Sequence, residues 1–362
     1  MSHNSQLKNP TVCIQKSNYP KINLESLLTP LDGIKQYINQ GERILLKVNL
    51  LNASIPEKAV VTHPAFVEAV VKAVLKEGGT PYIGDSPSGQ FTKRRLKKVY
   101  ERSGLKKLER DLGVELNYDT RSQKISIHNG KKLKKTPICK FVLDADKIIA
   151  LPKIKTHSYM TMTMATKIMY GAVPGLTKAK YHSIFIKKKP FADMLLDVHS
   201  VTKPDLNIMD GIIGMQGDGP AGGIPVELGV LLASENAVAL DLAICKMLNI
   251  EPVGIPTLRQ AKVRHLWPRD ISYPLLSPSD VRYNSFILPS TAGYILTGKK
   301  QPIRYPVTTE KCTVCGLCQE ICPRNAITMD IKKAQVDYSA CIKCYCCHEI
   351  CPEDAIKLEV IE

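Results

Sequence analysis

Aromatic residues are scarce in this 362-residue chain: one Trp, six Phe and fourteen Tyr amount to 6%, against a formal net charge of +16. A basic protein with few aromatics lacks the stacking platforms that hold single-stranded nucleic acid. No helix-turn-helix, RNP or zinc-finger pattern occurs either, so the composition argues against nucleic acid as a partner. No stretch reaches eighteen uninterrupted apolar residues, which excludes a hydrophobic membrane-spanning helix. The first nineteen residues are polar and show no apolar core of a secretory signal, and the expectation is a cytoplasmic protein. Two nucleotide cradles are also missing. There is no G-x4-G-K-[ST] loop, and no G-x-G-x-x-G stands at a strand–helix junction.

What the chain has in abundance is cysteine, most of it in one place. Cys312, Cys315, Cys318 and Cys322-Pro323 repeat as Cys341, Cys344, Cys347 and Cys351-Pro352, each set spaced C-x2-C-x2-C-x3-C-P. Bacterial-type ferredoxins hold cubane clusters with this spacing. Three close thiolates reach three irons of one cube, and the fourth, before proline, reaches the other cube. The expected ligand sets are therefore Cys312, Cys315, Cys318 and Cys351 for one [4Fe–4S] centre, and Cys341, Cys344, Cys347 and Cys322 for the second. The offset of 29 residues also relates Ala326 to Ala355 and Ile327 to Ile356, as two copies of one loop–helix–strand unit would. Four-thiolate zinc is the plain alternative, but it usually joins two distant C-x2-C pairs. Disulfides fit poorly, because nothing marks the chain as secreted. Exposed cubanes are oxygen-labile, which favours an anaerobic or strongly reducing cell. Cys346 reads as a bystander, and Cys13, Cys139 and Cys245 as buried small hydrophobes.

The remaining length is ample for a large core. Residues 1–40 read as an irregular lead-in with one helix near Pro30–Asn39. The run Arg43 to Leu50 is a buried strand. His63-Pro64 opens an amphipathic helix that ends at Gly78-Gly79, and Pro81 to Gly84 is the next strand, running into Asp85-Ser86-Pro87. Strand–helix–strand in this order is a βαβ unit, so the expected fold class is an α/β body with a mostly parallel sheet, followed by a small α+β ferredoxin domain. Residues 122–136 read as a basic surface hairpin. Strands follow at Lys147–Leu151, Asp205–Gly211 and Val226–Ala233, and a helix at Ala237–Asn249. The expected boundaries are a body over 41–250, with sub-lobes near 41–120 and 141–250, a covering region and linker over 251–302, and the ferredoxin domain over 303–362.

Loops at the carboxyl ends of parallel strands are where α/β proteins bind ligands. The candidate pocket residues are Lys153, Lys155, His157, Lys167 and His182 with Asp85, Asp210, Asp218 and Asp241. Lysines, with the amides of the glycine loop 214–223, would hold an anionic group. The histidines would serve as metal ligands or proton-transfer groups. Met160, Met162 and Met164 read as core filling.

Several motifs stand in one order: Lys47-Val-Asn49-Leu, Gly84-Asp85-Ser86-Pro87, Leu151-Pro152-Lys153-Ile-Lys155-Thr156-His157, Asn207-Ile-Met-Asp210-Gly211, Gly217-Asp218-Gly219-Pro220 and Ala239-Leu-Asp241. Together with the cysteine tail they resemble the family known as domain of unknown function 362, often fused to a two-cluster ferredoxin. Family members commonly carry Lys-Asn before an aromatic-Gly step, where this chain has Lys167-Ile168. The resemblance implies the architecture and not a reaction. The leading expectation is an iron–sulfur protein with two [4Fe–4S] clusters that passes electrons to or from a molecule in the body. Its partner would be an electron-transfer protein or a small anionic molecule. The alternatives are a non-catalytic carrier or maturation factor, and a non-redox enzyme with structural or sensory clusters.

Overall fold

The computed structural model describes residues 9–293 and 302–361. Strand β1 is Cys13–Lys16, β2 Arg43–Val48, β3 Thr80–Gly84 and β4 Glu115–Leu116. A hairpin, β5 (Ser122–Ser126) with β6 (Lys135–Cys139), precedes β7 (Lys147–Leu151), β8 (Lys153–His157) and β9 (Thr161–Met162). Two long strands, β10 (Leu206–Gln216) and β11 (Ile224–Ser234), complete the body. The main sheet runs β1-β11-β10-β7-β2-β3-β4, and β8 branches from β10. The five strands from β10 to β4 are parallel, whereas β11 and β1 add antiparallel pairs. The stretches 41–120 and 141–250 thus contribute to one continuous sheet, joined where β2 pairs with β7.

Strand β2 shows how the layers arise. Ile44, Leu46 and Val48 face one core, and Leu45 faces another with Tyr82 and Ala150, as the alternation of a two-sided buried strand requires. The first core receives the helix Pro64–Lys76 through Phe66, Val67, Val70, Val71 and Val74, each worth about 2 kcal/mol of burial. Proline fits the first turn of that helix, and Gly78, at φ 79°, ends it in a conformation a side chain would strain. The second core is closed by the helix Lys188–Val201, and a third packs Ala237–Met247 against the outer strands.

The lead-in differs from its expected form. It supplies β1 to the sheet edge, and the helix expected near Pro30–Asn39 is a pair of short 3-10 turns interrupted at Asp32 and Gly33, both with positive φ. β10 also continues past Gly211 to Gln216, because β11 offers it an antiparallel partner. Of the expected handover at 298–302, all but Pro302 lies outside the described residues.

In the C-terminal domain β12 (Arg304–Thr308) pairs with β15 (Ile356–Val360), and β13 (Ile327–Met329) with β14 (Ala334–Val336). The short helices Leu317–Ile321 and Cys346–Ile350 follow the two cysteine loops. The repeat is visible in the backbone. Val314, Gly316 and Asn325 have φ of 54°, 76° and 52°, and Lys343, Tyr345 and Asp354 have 56°, 63° and 52°. Ile321, Cys346 and Ile350 pack on Ala179, which seats this domain on the body.

Candidate functional site

The cysteine loops fold into two small cavities. One is walled by Cys312, Cys315, Cys318 and Cys351 with Met329, Ala334 and Ile356. The other is walled by Cys322, Cys341, Cys344 and Cys347 with Pro306, Ile327 and Val336. The last cysteine of each motif therefore crosses to the cavity of the other copy. At both crossing sulfurs a backbone amide donates, Ala326 N to Cys322 Sγ and Ala355 N to Cys351 Sγ, each at 3.2 Å. Among the described residues no three His, Cys, Asp or Glu converge on a point as one bound ion would require. Thiols spread around an apolar cage suit a cubane, so the residues present fit that group.

A third cavity, of about 80 Å³, lies where the body meets this domain. Its floor comes from the carboxyl ends of the parallel strands. Lys47, fully buried on β2, forms an ion pair with Asp85 just beyond β3 at 2.8 Å. Asp85 also accepts from Leu50 N at 2.6 Å and Ser86 N at 2.8 Å, which uses both carboxylate oxygens. Gly171 has to be glycine here, since a Cβ would stand 2.6 Å from Lys47 Nζ. β8 contributes Lys155, whose ammonium donates to Val60 O at 2.7 Å, and burial draws its pKa down to about 7. Lys178 donates to Ser86 O, Ser86 Oγ and Val173 O, and burial draws it to about 8. Lys167 projects from the helix Met164–Ile168 with the Tyr170 ring 5.7 Å away, and burial lowers its pKa as well.

The histidines of this cavity are neutral. His157 Nδ1 accepts from Tyr159 N at 3.2 Å, which leaves the proton on Nε2, and burial holds its pKa well below the usual imidazole range. His182 is pushed down to about 3 by burial, and its Nδ1 has no hydrogen-bond partner. The roof belongs to the C-terminal domain: Ile321, Cys346 and Glu349 line the same cavity. Glu349 Oε1 is 3.4 Å from His157 Nε2, but the approach is not aligned as a hydrogen bond, so that buried oxygen keeps an unmet acceptor. Burial raises its carboxyl to about 6.

Of the nine residues expected to converge, Asp85, Lys155, His157, Lys167 and His182 line the cavity, and four do not. Lys153 and Asp210 pair with each other at 2.7 Å, joined by Tyr19 OH and the amide of His63. Asp218 accepts from Ser290 N and Oγ, which ties down the covering region. Asp241 accepts from Ala165 N, Thr166 N and Thr166 Oγ1, and so caps the helix that carries Lys167. The glycine loop has part of its donor capacity committed within the fold. Gly219 N donates to Thr156 Oγ1 and Gly217 N to Ile287 O, so two of its amides are already used. What its glycines permit is close approach: a Cβ on Gly222 would stand 2.6 Å from His348 Cε1. Met160, Met162 and Met164 are buried in the core, as are Cys13, Cys139 and Cys245.

Lys178, Glu349 and Cys346 were not among the expected pocket residues. Lys178 sits in an ordinary polar helix pattern, and Glu349 and Cys346 lie in the cysteine motif, whose spacing claims the reader's attention. The only available signal was the second thiol in Cys344-Tyr-Cys346-Cys347.

Comparison with known proteins agrees with this architecture. A family model described as "Domain of unknown function (DUF362)" matches residues 44–246, and a 4Fe-4S binding domain model matches 305–328 and 334–357. A thylakoid-associated protein, sll1697 of Synechocystis sp., is 36% identical over 275 residues, covering 74% of this chain and 82% of that protein. Among solved structures, the lactate racemase apoprotein of Thermoanaerobacterium thermosaccharolyticum aligns with a TM-score of 0.39 and 12% identity, over 65% of this chain and 57% of that one. A Thermotoga maritima protein aligns with a TM-score of 0.36 and 9% identity, over 61% and 56%. Likenesses that low carry no argument here. Among the described residues no helix is long and apolar enough to cross a membrane. With its mostly parallel sheet and its C-terminal 4Fe-4S binding repeats, the chain belongs to the DUF362 family.

Proposed function

We propose that this chain is an electron-transfer protein that exchanges electrons with a molecule bound in the cavity between body and C-terminal domain. The supporting observation is a shared wall: Cys346 lines both that cavity and the cage formed by Cys322, Cys341, Cys344 and Cys347. In this reading Cys312, Cys315, Cys318 and Cys351 hold one [4Fe–4S] centre and Cys341, Cys344, Cys347 and Cys322 the other. Bound there, the clusters supply one-electron chemistry at potentials set by ligation, burial and hydrogen bonds to sulfur. The amides of Ala326 and Ala355, which reach Cys322 and Cys351, favour the thiolates they contact.

The body then binds and shields. Lys155 and Lys167 attract a negatively charged molecule, and Ile321, Ile168 and Tyr170 exclude water around it. His157, its proton fixed on Nε2, presents one N–H beside that molecule. Anaerobic reconstitution tests the proposal. It should give about eight irons and eight sulfides per chain, in centres that dithionite reduces. Two or fewer irons, or a full complement that takes up no electron, would refute it.

A further inference from the structure

We infer that the molecule taken by this cavity is a small organic dianion, paired with Lys167 and Lys155. The inference deepens the electron-transfer reading by naming the class of molecule with which electrons are exchanged.

The charge balance of the site carries it. Asp85 is already spent on Lys47 and on two backbone amides. Three ammonium groups, Lys155, Lys167 and Lys178, then share the cavity with a single carboxylate, Glu349. Buried charges are ordinarily paired, and ammonium groups that outnumber the carboxylates in one enclosed site call for negative charge from outside its own side chains. The lysines differ in availability. Lys178 has three acceptors within 3.1 Å, so its N–H groups are used, although its charge is not neutralised. Lys155 makes one bond, to Val60 O, and keeps donors free. Lys167 makes no hydrogen bond or ion pair among the described residues and meets only the Tyr170 ring. Burial draws Lys155 to about 7 and Lys178 to about 8, and an anion bound beside them would favour their charged forms.

Two further features speak for a ligand in place of bare charge tuning. His182 Nδ1 is a buried polar atom without a partner, and the residue lines this cavity. Part of the wall is apolar: Leu51, Ile168, Ala179 and Ile321 would meet carbon, beside the polar Asn49, Ser86, Ser88 and Thr163. At about 10–15 Å³ for each water-sized position, the space of about 80 Å³ admits roughly five to eight heavy atoms. A short chain with an acidic group at each end meets the size, the apolar wall and the charge together. Inorganic oxyanions meet the charge and the lower end of the size but leave the apolar part of the wall without a partner.

The test is isothermal titration calorimetry on the full, anaerobically reconstituted chain, with succinate, acetate, succinamide and inorganic sulfate as probes. Succinate should bind roughly tenfold or more tighter than acetate or sulfate, and succinamide should not bind. Lys167→Met and Lys155→Met should each weaken succinate roughly tenfold, with iron content unchanged as the control for folding. Sulfate binding as tightly as succinate would overturn the organic part. No binding of any probe, with Lys167→Met instead shifting the midpoint potential of a cluster, would show that the lysines balance cluster charge and would overturn the inference while leaving electron transfer standing. Succinate bound as described by a chain whose clusters accept no electrons would do the reverse.

Discussion

In the first half of the C-terminal domain Val314, Cys315, Gln319 and Glu320 face outward. Their counterparts 29 residues later are Lys343, Cys344, His348 and Glu349, and the last two are buried against the body. The backbone is nearly the same at both places, down to the left-handed residues, so the repeat provides the thiol cage twice. What differs is the decoration. Leu317 becomes Cys346, which faces the cavity. Gln319 becomes His348, whose Nε2 and Nδ1 lie 2.8 Å from Asp218 O and 2.6 Å from Ile356 O. Gly316 becomes Tyr345, whose positive φ costs about 1 kcal/mol. The burial of its ring and its hydroxyl bond to Arg304 O at 3.0 Å offset that cost. One cage thus opens toward solvent, and the other is mortised into the pocket. On the proposed electron-transfer reading, the first cage would exchange with an outside partner and the second with the bound molecule.

The sharpest way to break this comparison is to remove one cage at a time. Cys315→Ser and Cys344→Ser should each lower iron by about four per chain, since each cubane has lost a ligand. Only Cys344→Ser should also abolish the spectral response of the remaining clusters to succinate, because only its cage shares Cys346 with the pocket. Equal responses from both variants would show the two cages to be equivalent.

Of the two cages, acid should act on the surroundings of the second. His157 and His182 line the cavity beneath Cys346, whereas no histidine lines the first cage. Burial lowers both imidazoles, His182 to about 3, so in the folded chain they stay neutral while unfolded imidazoles bind protons below pH 6.5. The unfolded state then binds more protons, and stability falls as pH falls. At pH 5.5 each histidine should have withdrawn about 1.4 kcal/mol relative to pH 7.5. Because His199, Asp241 and Glu349 also shift the profile, the measurement is chemical denaturation of the reconstituted chain and of His182→Phe at the two pH values, and the variant should lose less by about 1.4 kcal/mol. No difference between the two profiles would mean that the His182 imidazole is not held neutral by the fold.

The two faces also differ in how far they could be read from the sequence. Cluster geometry is local, so thiols three and four residues apart declare their cage before any fold is known. The same holds for the helix at Pro64–Lys76, which carries its own start, stop and apolar stripe. The pocket is non-local. Lys155 and His157 were legible because they end a strand, but Glu349 reaches them from nearly two hundred residues further on. Asp241 misled for a related reason. An acid on an apolar helix looks catalytic until its partners, the amides of Ala165 and Thr166, are known. Nor could β1 be anticipated, because its four residues become a strand only beside β11.

The smallest expected effect isolates the docking itself. His348→Ala removes a buried ring that bridges the carbonyl of Asp218, on the body, to that of Ile356, on its own domain. Leaving one of those carbonyls without its imidazole donor and the ring volume empty should cost about 2–3 kcal/mol. Gln319→Ala, at the equivalent exposed position, should stay within about 0.5 kcal/mol. Denaturation midpoints of the two variants, with iron content checked in both, give the difference directly. Because the residues share one place in the repeat, any inherent cost of altering that turn cancels between them. What remains is the worth of seating the second copy on the body, and two equal values would mean that the seat contributes nothing.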